Sequence, residues 1–265
     1  MPFPAIKKYF IPLIPLLFLL SCRPYTKISG TYYTEQQDAL MIDDEKGLLE
    51  TYGEATVTGL RVKQNRNRIL FKWNHSGPIP VIQHRVDRYR FRILTGTEDS
   101  LLLSPASALS KRYFKDRDSI VFKPEYRFLD KFIRWEKIIF HSSHCYVLCP
   151  DYSLQIERDG QIKLTNRGGS FKPALNDHYQ GILSTDQLDN LNRLLSLSHL
   201  NTLQWAPRLC CDGPVYSIIL YYNNKRLYLH AMWTPVVSRK LVNFLEAQFR
   251  NKSLEKVDSV FSYER

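Results

Sequence analysis

The chain has 265 residues, 44% of them hydrophobic, and a formal net charge of +11. That apolar content suffices to bury a core and is too high for a disordered polar chain. Beyond the first residues no apolar run approaches the roughly 20 residues that cross a bilayer as a helix, which excludes a protein of several membrane-spanning helices.

The chain opens MPFPAIKKYFIPLIPLLFLLSC. Lys7 and Lys8 form a basic start, and Phe10 to Leu20 is an apolar run broken only by Pro12 and Pro15. Such a run is too short to span a membrane and reads as a secretory signal. Leu19-Leu20-Ser21-Cys22 resembles a bacterial lipobox. The resemblance implies that the signal is cut before Cys22, that its sulfur is lipidated and that the new amino terminus is acylated. Several acyl chains anchor stably, because each buried CH₂ contributes about 0.8 kcal/mol. The expected organisation is a signal over 1–21, a lipidated tether over 22–29, a β-rich domain over 30–135, an α+β domain over 136–250 and a charged tail over 251–265. The expected location is the cell envelope, on the outer membrane. Without Lys7 and Lys8 the charge of +11 falls to about +9, which favours anionic partners. Outside the cytoplasm those are lipid headgroups, lipopolysaccharide or acidic glycans rather than nucleic acid.

From Gly30 onward short β-prone runs alternate with turn residues. Candidate strands are Thr31 to Tyr33, Ala39 to Ile42, Leu48-Leu49, Thr56 to Val62, Arg68 to Trp73, Val86 to Leu94, Ser100 to Leu103 and Ser119 to Phe122. Ala106 to Phe114 has room for one or two helical turns. Many short strands with regular turns predict a small barrel or sandwich. In Arg88-Tyr89-Arg90-Phe91-Arg92-Ile93, period two puts three arginines on one face and three apolar residues on the other. A solvated face over a packed core accounts for that stripe; a basic stripe for an anionic ligand is the alternative.

The second half is predicted to hold a strand over Tyr152 to Glu157, a turn at Arg158-Asp159-Gly160 and a return strand over Gln161 to Thr165. A polar loop, Asn166 to Asp177, and a strand, Tyr179 to Leu183, follow. Ser184-Thr-Asp-Gln187 is a capping box, with Leu188, Leu191, Leu194 and Leu195 at helical spacing behind it. Tyr216 to Tyr222, the turn Asn223-Asn224 and Lys225 to Ala231 form a second hairpin. Pro235 opens a last helix with Val237, Leu241, Phe244, Leu245 and Phe249 on its apolar face. Pro150-Asp-Tyr-Ser-Leu-Gln-Ile matches Pro214-Val-Tyr-Ser-Ile-Ile-Leu at an offset of 64 residues. The match predicts two strand–strand–helix repeats, giving one antiparallel sheet covered by helices on one face. The fold class is therefore α+β overall, a β-rich barrel or sandwich followed by that two-repeat domain.

The segment from about His141 to Phe249 resembles a bacterial family, often found in lipoproteins, catalogued as domain of unknown function 6438. The likeness rests on Cys145-Tyr-Val-Leu-Cys149-Pro150-Asp-Tyr152-Ser153-Leu154, on Asp159-Gly160 and on Gly181-Ile-Leu-Ser184. Members often carry a glycine between the two cysteines, where this chain has Tyr146, Val147 and Leu148. The resemblance implies a fold neighbourhood and no activity.

With Cys22 spent on lipid, Cys145, Cys149, Cys210 and Cys211 remain, an even number that favours disulfides in an exported chain. Two pairings are in view, a local Cys145–Cys149 bridge or two bridges between the loops. The Cys-x₃-Cys core of the family resemblance points to the local one. Zinc is the rival, with His141 and His144 nearby, but a Cys-Cys dipeptide places two thiolates poorly on one tetrahedral ion. No phosphate-binding loop, nucleophile elbow or zinc-protease motif is present, and no cofactor or metal is expected. The four tryptophans are too dispersed to argue for a sugar-stacking platform. Trp205 and Arg208, in the loop from Asn201 to Gly213, are the candidate ligand contacts. The expected role is a lipid-anchored, non-catalytic binding or scaffolding module whose partner is an anionic envelope component or a protein. A thiol–disulfide redox protein using Cys145 and Cys149 is the alternative.

Overall fold

The structure, a computed structural model, describes residues 27–74, 86–145, 149–169, 176–207 and 213–265. Cys22, Arg208, Cys210 and Cys211 lie outside the described residues.

The chain's first half winds up and down through β1 (Gly30–Tyr33), β2 (Ala39–Asp43), β3 (Lys46–Glu50), β4 (Val57–Asn65), β5 (Arg68–Asn74), β6 (Val86–Gly96), β7 (Leu101–Pro105) and β8 (Ile120–Pro124). Each strand pairs with the next, and β1 closes on β8 with Tyr32 opposite Pro124. The result is a closed eight-stranded barrel, whose bore is about wide enough for side chains to fill. Leu60, Ile69, Phe71, Phe91, Leu103 and Phe122 fill it and are fully buried. The helix α1 (Ala108–Tyr113), capped by Ser107, delivers Phe114 onto Phe91 and Phe122, with ring centroids 5.6 and 6.2 Å away. Gly47 is needed because a Cβ there would lie 2.5 Å from Val62.

One wall of this barrel is shared. Leu40 and Leu49 point into the bore, while their neighbours Ala39 and Leu48 join the core of the second half. A strand buried on both sides reads as a continuous apolar run, which is why Leu48-Leu49 shows no alternation. On β6, by contrast, Tyr89 and Phe91 are buried and Arg88, Arg90 and Arg92 are exposed, as period two requires.

The second half is a seven-stranded antiparallel sheet in the order β14-β13-β9-β10-β11-β12-β15. Its strands are β9 (Trp135–Ser142), β10 (Pro150–Glu157), β11 (Gln161–Gly169), β12 (Asp177–Ile182), β13 (Tyr216–Tyr222), β14 (Lys225–Ala231) and β15 (Glu255–Val257). The helices α2 (Thr185–Leu197) and α3 (Val236–Gln248) pack on it through Leu191, Leu194 and Leu195, and through Val237, Leu241 and Leu245. Ser184 and Gln187 form the capping box that starts α2. Gly160 at φ 87°, and Asn223 and Asn224 at 48° and 58°, make the two hairpin turns.

Three expectations change. Between β13 and β10 stands β9, which sequence reading passed over because Ile138-Ile139-Phe140 is apolar without alternation, as a strand buried on both faces must be. The polar stretch from Asn166 is partly strand, since β11 runs on to Gly169. The tail adds β15 to the edge of the sheet beside β12, where Gly181 lets Leu254 close in.

The internal match has a structural meaning, but not as two copies of one unit. Tyr152, Ser153 and Leu154 face Ser142, His141 and Phe140 from one side of β9, and Tyr216, Ser217 and Ile218 face the same three residues from the other. The register on β9 is thus the 64-residue offset. Yet β11 lies outside β10, and β14 lies outside β13 in the opposite direction, over the same core face. Superposing β10 on β13 leaves their partner strands on opposite sides, so the two hairpins are not copies related by rotation.

Candidate functional site

Alternate residues of these strands point away from the helices, and their pairing lines up one row across six strands. The row runs His178, Thr165, Ser153, His141, Ser217, His230, each directly opposite the next. It resolves into three imidazole–hydroxyl pairs. Thr165 Oγ1 lies 2.8 Å from His178 Nδ1, Ser153 Oγ 2.6 Å from His141 Nδ1, and Ser217 Oγ 2.8 Å from His230 Nδ1.

The hydrogen bonds set the tautomers. His141 Nε2 donates to the carbonyl of Glu264 at 2.8 Å, so its Nδ1 accepts from Ser153. Ser153 in turn accepts from Arg167 Nη2 at 2.7 Å, while Arg167 Nε donates to Asp151 at 2.8 Å. Burial, aided by the Arg167 and Arg265 charges, holds His141 below the usual histidine pKa, in keeping with a neutral ring. Thr165 donates to the Tyr263 hydroxyl, which leaves His178 to donate from Nδ1 and its buried Nε2 without a partner.

Residues 258–265 lie over this face as a strap. Phe261 packs edge-on against His178 at 5.4 Å, and Tyr263 against His141 at 6.3 Å. The Glu264 carboxylate accepts from Tyr221 at 2.5 Å and pairs with Arg226 at 2.8 Å. Glu264 therefore bridges the His141 row and the Tyr221–Arg226 row, spanning Ile139 and Ile219, both buried. A cavity of about 520 Å³ lined by Ser217, Tyr228 and His230 opens on one side of the strap. Another of about 300 Å³ lined by Ser153, Thr165 and His178 opens on the other, and both share His141, Arg167 and Arg265.

Ser153 is 1% exposed, so its hydroxyl cannot reach a substrate. Ser217 and His230 are open to the larger cavity. Among the described residues no group of three or more His, Cys, Asp or Glu side chains is placed to hold a metal ion. The face offers hydroxyls, imidazoles and arginines, which suits binding of carboxylate, sulfate or phosphate groups.

Of the residues read from the sequence, Cys145 and Cys149 are joined in a local disulfide beside the start of β10, with Cα atoms 5.1 Å apart. Cys149 is two residues from Asp151, which lines the larger cavity. Trp205 has a structural place. It is buried in the core, and its indole N–H donates to Ser238 Oγ of α3 at 3.0 Å, so it anchors a helix. Its neighbours Gln204, Ala206 and Pro207 do line a cleft of about 480 Å³ with Glu50, Tyr52 and Trp233. The polar row was missed because it needs the pairing of β9, and β9 was missed. The available signal was Tyr-Ser at the same place in both matched segments, with His141 between them in register.

No protein-family model matches the chain, and no curated protein matches it. Among the described residues no helix is long and apolar enough to cross a membrane.

Proposed function

We propose that the protein is a lipid-anchored envelope protein, tethered through Cys22, that binds an acidic envelope component without transforming it. The outer face of the sheet is its recognition surface. The observation that carries this reading is the six-residue polar row with Arg167 bonded into it. A packed sheet would place apolar residues there, and a solvated one would not build three imidazole–hydroxyl pairs in register. The strap supports it, since Tyr221 and Arg226 already hold a carboxylate, that of Glu264. The local disulfide belongs to this reading as a staple, and the likeness to family 6438 adds a fold neighbourhood without an activity.

The test has two arms. Cys22→Ala is expected to move the protein from the membrane fraction to the soluble one. Titration with an acidic oligosaccharide, tri-galacturonate, and with an acidic hexapeptide is expected to show saturable binding to at least one. Ser217→Ala with Arg167→Gln should weaken that binding at least tenfold. Absence of binding to either probe overturns the recognition surface. Turnover of an activated ester dependent on Ser217, or thiol–disulfide exchange dependent on Cys145, would replace binding with catalysis.

A further inference from the structure

The barrel has a charged side that the sheet does not touch. Arg61 and Lys63 on β4 and Arg68 and Lys72 on β5 point outward, with Val62, Ile69 and Phe71 between them in the bore and the half-buried Leu70 among them on the outer face. Arg88, Arg90 and Arg92 continue the field on β6. The pairing stacks like charges face to face, with Arg61 opposite Lys72, Lys72 opposite Arg88 and Arg68 opposite Arg92. Directly opposed like charges destabilise a sheet, and strands about 4.8 Å apart keep all of these neighbours inside one Debye length of about 8 Å. None of the seven cations has an acidic partner among the described residues. The only acid on the three strands is Asp87, opposite Trp73 at the end away from Arg92.

The tether enters beside this wall, at the end of the bore, where Ile28 packs against the barrel core. Ile28 exchanges two hydrogen bonds with Gln64 of β4, 3.0 Å from its N–H and 2.8 Å to its carbonyl. Gln64 pairs with Ile69, so the chain arrives one position from the Arg68–Arg92 pair. Cys22 stands six positions before Ile28, a reach of at most about 20 Å.

We infer that the outer face of β4, β5 and β6 docks flat on an anionic lipid surface, orienting the body on the membrane that anchors it. The orientation rests on the Cys22 anchor proposed above; the affinity of the face for anionic headgroups does not. The membrane relieves the repulsion that the barrel carries, and each cation brought to such a surface contributes roughly a fivefold factor in affinity. The sheet's outer face and its strap are a separate surface, on the other half of the molecule.

The experiment uses the mature chain from residue 22 with Cys22→Ser, so that no acyl chain contributes, and sedimentation with vesicles. Vesicles of 30% phosphatidylglycerol in phosphatidylcholine are expected to bind it, pure phosphatidylcholine is not, and 0.5 M salt should release it. The triple variant Arg88→Gln, Arg90→Gln, Arg92→Gln should lose about 100-fold in affinity while its melting temperature holds or rises. The control Arg193→Gln, Lys225→Gln, Lys252→Gln removes the same charge from exposed sites elsewhere and should lose no more than about twofold. No binding to the anionic vesicles, an equal loss in the control, or tighter binding to soluble poly-galacturonate than to vesicles would each overturn the inference. Failure of the anchor itself is read separately, by the fractionation of Cys22→Ala.

Discussion

The two faces of the seven-stranded sheet are built from the same strands one residue out of step, and they could hardly differ more. Toward the helices runs Leu164, Leu154, Phe140, Ile218, Leu229; away from them runs Thr165, Ser153, His141, Ser217, His230. The first row is all apolar and buried, and the second is all polar, with ring and hydroxyl paired across the strands. A one-residue slip of any strand would exchange the rows, so the helices that bury the first also hold the second in register. The outer face buries Ile139 and Ile219 beneath the strap and is polar along the His141 row, which frees that row for recognition, while the helix-covered face supplies most of the apolar core.

Five substitutions test how far the two faces divide the labour. The largest effect is expected on the helix side. Leu154→Ala, at the middle of the apolar row, should cost about 3 kcal/mol in urea unfolding, in the range for a buried leucine. A cost under about 1 kcal/mol would mean that the face is not the stabilising one.

Next comes Glu50, a barrel carboxylate whose Oε2 accepts from Val236 N–H at 2.8 Å, at the start of α3. Burial pushes its pKa up from 4.5 to about 7, against the lowering pull of that N–H and of Arg239. Because the folded pKa lies above the unfolded one, its contribution is full below pH 4.5 and is lost as pH rises through about 7. The loss can reach about 3 kcal/mol between those limits. Glu50→Gln should flatten that slope in urea unfolding at pH 4.5 and pH 8; an unchanged slope would remove Glu50 as its source.

The matched tyrosines sharpen the comparison within the helix side. Tyr216 donates to Glu246 at 2.6 Å, whereas the buried hydroxyl of Tyr152 has no partner. Tyr216→Phe is expected to cost about 1 kcal/mol, and Tyr152→Phe to leave stability equal or to raise it by about as much. Equal costs at both sites would show that the two hydroxyls are alike.

The smallest effect is on the outer face. Glu264→Gln weakens exposed contacts to Tyr221 and Arg226, so the melting temperature should not move measurably. Hydrogen exchange should quicken in residues 258–265 and nowhere in β9 or β10. Loss of protection in β9 would make the strap part of the core.

Legibility from the sequence followed burial. Strands with one wet face announced themselves, as in Arg88 to Ile93. The hairpin turns at Gly160 and at Asn223-Asn224 were readable because few residues accept positive φ, and Ser184 to Gln187 because a helix start needs its N–H groups capped. The interior strand β9 was not readable, since burial on both faces erases alternation. Trp205 looked like a ligand contact because a loop tryptophan has no periodicity to mark it as core. The basic field was visible only in part, one strand at a time.

By itself the sequence determined the local alphabet: which segments extend, where they turn, where two helices begin and which side of each amphipathic strand is apolar. Short-range sterics and hydrogen bonding suffice for that. Only the tertiary structure decided that β9 stands between the matched hairpins, that six polar residues from six strands form one row, and that seven cations from three strands share one wall. Pairing between residues far apart in the chain depends on the whole set of burials being satisfied together, and no single segment carries that condition.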